Sequence, residues 1–138
     1  MSLNKVLLIG NVGRDPDVRY IDNGVAVAQV RLATTERGYK LPNGTQVPDR
    51  TEWHTVILWR GLAQTVEQFV RKGDKIFIEG QIRTRSYVDK NGKQRDALEI
   101  WADKLELMSK TTQTSQPAVS PHGPGPANPS NTPKDYPF

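Results

Sequence analysis

Two runs of alternating residues, KIFIEGQIRTRSYVD (75–89) and QRDALEIWADKLELM (94–108), flank an Asn91-Gly92 step. Asn-Gly is a strong hairpin signal, so the two runs are expected to pair as long antiparallel strands. A chain that commits so much of its length to one hairpin is constrained to be built on a sheet. The earlier segments agree. LNKVLLIG (3–10), VAVAQVRLAT (25–34, entered through Asn23-Gly24) and TEWHTVILW (51–59) read as three more strands. Between the third and fourth, Leu62, Val66, Phe69 and Val70 recur at helical spacing, and Gly73 stands where such a helix would end. The sixteen residues TERGYKLPNGTQVPDR (35–50) exceed a tight turn and carry their own Asn43-Gly44, which predicts an extended, flexible hairpin.

Five strands with a single helix between the third and fourth is the element order of an OB-fold. The expected class is all-β with one helix: a five-stranded Greek-key barrel. Such barrels often bind oligonucleotides or oligosaccharides, but the fold alone does not assign a function. The barrel is expected to span residues 1–108. After it comes SKTTQTSQPAVSPHGPGPANPSNTPKDYPF (109–138), with seven of the ten prolines and only Lys110, Lys134 and Asp135 charged. This stretch has too little apolar surface to offset the entropy of ordering and is expected to be a disordered C-terminal tail.

Of the formal charge of +4, +3 falls on residues 1–108. A basic folded part suits a polyanionic partner. The absence of cysteine excludes disulfides, thiolate catalysis and cysteine-based metal sites. His54 and His122 lie in unlike regions, so no metal site and no cofactor are expected. The apolar run Val6 to Ile9 is far shorter than the core of a secretion signal, and no stretch is long enough to span a bilayer. The expected location is cytoplasmic, away from membranes.

The chemistry concentrates on two strands. Strand alternation places Trp53 and Trp59 on one face, with Thr51, Thr55 and Ile57, while Val56 and Leu58 have the better claim to the interior. The two indoles are six residues apart, about 20 Å at the usual rise, which suits a polymer rather than one small ligand. Arg83, Arg85 and Tyr87 share one parity on the fourth strand. Arg37, Tyr39, Lys40 and Arg50 lie in the 35–50 loop, and Arg60, Arg71 and Lys72 cluster around the helix. Flat rings interleaved with cations are what unpaired bases and their phosphates require, each stacked base contributing roughly 1–3 kcal/mol. Trp101 reads as core or interface, and His54 as a packed or interface residue. Rings and cations do not separate DNA from RNA, since 2′-hydroxyl readout leaves no mark in this pattern.

An enzyme finds little support. GNVGRD follows a strand, yet it lacks the glycine spacing and the Lys-Ser/Thr of a phosphate loop. Asp15, Asp17 and Asp22 would suit a metal-dependent nuclease, but no histidine or glutamate accompanies them in sequence, and turns commonly use aspartate.

NKVLLIGNVGRDPDVRY, TEWHTVILW, VRKGDKIFIEGQIRTRSY and the terminal DYPF together resemble the bacterial single-stranded DNA-binding protein family, nearly continuously over residues 3–108. The resemblance implies an OB-fold that assembles as a homotetramer, wraps single-stranded DNA and coats it during replication, recombination and repair. It implies that Trp53, Trp59 and Tyr87 stack on bases, Tyr87 standing where a tryptophan is frequent, and that Tyr39 is the nearest match to a further loop aromatic. Its basic contacts fall on Lys5, Arg19, Lys72, Arg83 and Arg85. Arg60 sits one position from a usual lysine, with Gly61 in its place. The tail resembles a spacer ending in a Pro-Phe tip, here Asp135, Tyr136, Pro137 and Phe138, which implies docking to DNA replication and repair proteins. The family tip usually carries a run of acids; here only Asp135 precedes YPF, with Lys134 beside it, so weaker electrostatic steering to partners is expected.

Overall fold

The computed structural model describes residues 1–110. Eight strands and one helix follow in the order β1 (Val6–Val12), β2 (Asp17–Ile21), β3 (Val25–Glu36), β4 (Tyr39–Lys40), β5 (Gln46–Val47), β6 (Arg50–Trp59), α1 (Gly61–Phe69), β7 (Lys75–Val88) and β8 (Gln94–Ser109). A single turn of 3-10 helix, Asp22–Gly24, joins β2 to β3.

The principal sheet runs β1-β7-β8-β6-β3-β2, and a further β1–β3 pairing closes it. The closing contact is short: Asn11 opposite Ala33 and Val12 opposite Leu32. The ring β1-β7-β8-β6-β3 is the expected five-stranded OB-fold barrel. Its long hairpin is the one punctuated by Asn91-Gly92, Gly92 taking the positive φ of 79° that the turn requires. β6 and β8 run parallel where they meet, at Val56–Ile100 and Ile57–Trp101.

Two elements extend the sequence-based expectation. Residues 17–21, where Asp17 and the flanking Asp15 and Asp22 suggest turns, pair with β3 as a short strand from Asp17–Gln29 to Ile21–Val25. The 35–50 stretch forms the small β4–β5 hairpin, its base pinned by the Gly38 amide donating to Asp49 Oδ1 at 2.7 Å.

The barrel interior is aliphatic. Val12, Ala26, Ala28, Val30, Leu32, Val56, Leu58, Ile76, Ile78 and Ile100 form it, capped by Ala63, Val66 and Val70 from the helix segment. The helix faces differ slightly from the spacing-based expectation. The buried stripe is rotated toward Ala63, leaving Leu62 at its margin and Phe69 exposed, while Val70, extended beyond the helix end, is buried. Gly73 lies beyond the helix end, in the turn before β7, and its amide donates to the Val12 carbonyl at 2.7 Å. Beside it the carboxylate of Asp74 is fully buried. It accepts from the Arg71 amide and from Lys110 Nζ, both at 2.9 Å, while Lys110 also donates to the Phe69 carbonyl. A buried acid is tolerated only when paired in this way.

Close approach makes two glycines obligatory in the ring. A Cβ on Gly10 would lie 2.3 Å from the Ala33 carbonyl oxygen, and one on Gly80 would lie 2.1 Å from that of Trp101. Gly80 sits at a register shift in the β7–β8 ladder. We expect Gly80→Ala to force the hairpin strands apart and cost roughly 1–3 kcal/mol, as overpacking typically does. Urea unfolding of wild type and variant measures it; equal midpoints would disprove the steric argument.

Candidate nucleic-acid interface

Because side chains of paired residues share a face, the registers define the barrel's outer surface. From β3 and β6 come the pairs Val27–Trp59, Gln29–Ile57, Arg31–Thr55 and Ala33–Trp53. β2 adds Arg19 beside Val27 and Asp17 beside Gln29. β8 adds Trp101 beside Ile57, and β7 and β8 supply Gln81–Trp101, Arg83–Glu99, Arg85–Ala97 and Tyr87–Arg95. One continuous surface therefore carries Trp53, Trp59, Trp101 and Tyr87 together with Arg19, Arg31, Arg83 and Arg85. It is an open sheet face, not a cavity.

Local contacts set each ring. Trp53 is 50% exposed. Its six-membered ring lies over Gly13, where a Cβ would come within 2.3 Å of it, and the Arg31 guanidinium sits 5.7 Å from its centroid. Arg31 is held there by donating to Thr55 Oγ1 at 2.7 Å. Trp59 is partly buried and meets Trp101 at 5.5 Å between ring centroids, the planes tilted by 49°. Arg83 lies over Trp101 at 4.5 Å, and Arg85 lies 5.7 Å from the exposed Tyr87 ring. Guanidinium groups at these distances are attracted to the ring faces.

Trp101 and Arg31 are the residues that strand-by-strand reading missed. Trp101, read as core or interface, is on the outer face with a guanidinium over it. The signal that finds it is the hairpin register: an Asn91-Gly92 turn pairing Val88 with Gln94 carries Trp101 opposite Gln81, on the face of Arg83. Arg31 follows from pairing β3 with β6.

The remaining basic residues fall in distinct settings. Lys5 is exposed and bonds Glu79 Oε2 at 2.8 Å; this hydrogen bond and charge raise the lysine's pKa and lower that of Glu79. Arg19 makes a two-point contact with Asp17. Lys72 sits on the turn whose amide donates to Asp15 Oδ1 at 2.8 Å, next to the segment carrying Gly13 and hence Trp53. Tyr39 is exposed on the β4–β5 hairpin. His54 is on the opposite, inner-facing side of β6, its Nε2 2.9 Å from Thr34 Oγ1. Asp135, Tyr136, Pro137 and Phe138 lie outside the described residues. Among the described residues no cluster of carboxylates and imidazoles is arranged to hold a metal ion.

The model of the Single-strand binding protein family matches residues 3–108. The chain belongs to the single-strand binding protein family. A single-stranded DNA-binding protein of Bacteroides thetaiotaomicron is 54% identical over 122 residues, spanning 88% of this chain and 76% of that one. One from Neisseria meningitidis serogroup A is 42% identical over 125 residues, 91% of this chain and 71% of its own length. A solved Plasmodium falciparum SSB complex with ssDNA superposes with a TM-score of 0.66 at 28% identity, covering 80% of this chain and 96% of that one. Members of this family bind DNA and are not enzymes.

One residue at the edge of the face is strained. Arg60, directly after Trp59, takes φ 53° and ψ −120°, a backbone region that side chains disfavour. Its amide donates to the Ala26 carbonyl at 2.8 Å, which fixes the turn from β6 into α1. Strain of this kind costs of order 1–3 kcal/mol and is often stored at functional sites. Arg60→Gly is therefore expected to raise stability by about 1 kcal/mol or more, read as a higher unfolding midpoint in urea. A lower midpoint would show that the Arg60 side chain contributes more than its backbone costs.

Proposed function

We propose that this chain binds single-stranded DNA with little regard to sequence, stacking bases on Trp53, Trp59 and Tyr87 and meeting phosphates with Arg and Lys side chains. The observation that carries the reading is that these rings lie on one open face among guanidinium groups. Bases present π-faces of every kind alike, so a row of rings is tolerant of sequence, while cations supply attraction to the backbone. Lys5, Arg19, Arg60, Lys72 and Arg83 are the proposed phosphate contacts, Arg85 belongs to the interface as the cation against the Tyr87 ring, and Tyr39 is a further ring at the hairpin. The relatives named as single-stranded DNA-binding proteins and the neighbour captured with ssDNA support the same reading.

The broader role we infer is to coat and protect single strands during replication, recombination and repair, in association with the nucleoid. Partner enzymes are recruited through Asp135, Tyr136, Pro137 and Phe138, the Phe138 ring filling an apolar pocket. No helix among the described residues is long and apolar enough to cross a membrane. We further propose a homotetramer. Leu7 and Ile9 on the outer side of β1 are 60% and 50% exposed, with Phe77 opposite Ile9. Adjacent apolar side chains left in water commonly mark a protein contact.

Three measurements test these claims. In fluorescence titrations with oligo(dT), Trp53→Ala and Trp59→Ala should each weaken binding by roughly 1–3 kcal/mol. The logarithm of affinity should fall with that of salt by about 0.7 per phosphate neutralised. A flat salt response, or a clear preference for oligo(U), would overturn the single-stranded DNA reading. Light scattering should return four times the 15.5 kDa chain mass; a monomer at micromolar concentration would rule the assembly out. Deleting residues 136–138 should leave oligo(dT) affinity intact and abolish pull-down of replication and repair enzymes, whereas retained pull-down would remove the tip from the mechanism.

A further inference from the structure

A surface suited to a polyanion keeps one carboxylate at its centre. Glu99, only 1% exposed, stands on β8 directly opposite Arg83. Its Oε1 accepts from Trp101 Nε1 at 3.1 Å, and its Oε2 accepts from Arg85 Nε and Nη2 at 3.0 and 2.9 Å. A carboxylate removed from water is retained only with charged and hydrogen-bonded partners, and here both partners belong to the candidate interface. Arg83, by contrast, meets no carboxylate among the described residues and rests instead on the Trp101 ring at 4.5 Å.

We propose that Glu99 is a positioning residue that trades charge for stacking: it holds Trp101 beside Trp59 as an additional base platform and cancels the charge of Arg85. The inference rests on the single-stranded DNA reading above and extends it to two residues that reading does not use. The bond to Nε1 fixes the rotation of the Trp101 indole, which keeps it 5.5 Å from Trp59 with the planes at 49°. Two rings at that angle offer faces to neighbouring bases that are not parallel, as along a curved strand. Arg83 occupies the face of Trp101 that a base would take. A phosphate draws Arg83 away, exposing the ring as the backbone arrives. Arg85 then acts mainly by lying against Tyr87, its charge already met by Glu99, and Arg83 is the hairpin's phosphate contact.

Oligo(dT) titrations of the full chain over a range of salt concentrations test this with three variants. Trp101→Ala should weaken binding by about 5- to 150-fold while leaving the salt slope unchanged, because stacking does not release counterions. Affinity indistinguishable from wild type would overturn the platform. Glu99→Gln uncovers the charge of Arg85 and should steepen the slope by about 0.7; an unchanged slope in a folded variant overturns the charge cancellation. The double variant R85Q/E99Q guards against a Glu99→Gln protein that fails to fold. It should keep the wild-type slope, and a slope shallower by about 0.7 would show that Arg85 already neutralises a phosphate. If the wild-type chain does not bind oligo(dT), the single-strand reading falls and this inference with it. If wild type binds and the variants miss these outcomes, only the role of Glu99 and Trp101 falls.

Discussion

The smallness of the barrel interior governs the rest of the structure. Two residue pairs between β1 and β3 close the ring, and Gly10 and Gly80 let backbones pass within van der Waals limits that no Cβ would respect. The space enclosed is filled by valine, isoleucine, leucine and alanine alone. No aromatic side chain belongs to that core, so the three tryptophans have nowhere to go but outward. The outer face is therefore determined by what the inner face cannot hold, and the strict alternation of strands transmits that choice along β6, β7 and β8.

Rings placed outside need support, and the face supplies it with charge. Arg31, Arg83 and Arg85 each lie against a ring, and Thr55 and Glu99 in turn fix two of the guanidinium groups. Acids also sit among the cations: Glu79 with Lys5, Asp17 with Arg19, Glu99 with Arg85. Counting basic residues thus overstates the free positive charge. The Arg85–Glu99 pair is largely shielded from water, whereas the Lys5–Glu79 pair is exposed and contributes little to stability.

Parity within one strand is written directly in the sequence, which is why Trp53, Trp59, Arg83, Arg85 and Tyr87 were legible as a face. Relations between strands require register, and that is where reading residue by residue stopped. Trp101 has no basic neighbour in sequence; Arg83 becomes its neighbour only through the hairpin ladder. Arg31 reaches Trp53 only through the β3–β6 pairing. β2 is hidden by Asp17 and the flanking Asp15 and Asp22, which carry turn chemistry, although Asp17 is paired with Gln29 in the sheet. On the helix, spacing alone marks Leu62 and Phe69 as readily as Ala63, and only the packing against the barrel selects Ala63 and Val66 as the buried stripe.

An exposed indole carries an energetic cost that base stacking, on the proposed reading, offsets. Leaving half of Trp53 in water forgoes roughly 2–3 kcal/mol of apolar burial, taking 150–250 Å² for the side chain at about 25 cal/mol per Å². Stacking one base returns roughly 1–3 kcal/mol, a similar amount. The fold tolerates that deficit because its core is complete without the ring. Trp59, partly covered by Trp101, gives up less on folding and has less uncovered face to offer a base. The two indoles of β6 are accordingly unequal partners: Trp53, resting on the bare backbone of Gly13, presents an open plane, while Trp59 and Trp101 act as one tilted pair. On the proposed reading, a strand of nucleic acid crossing this face meets one open ring at one end and a tilted pair at the other.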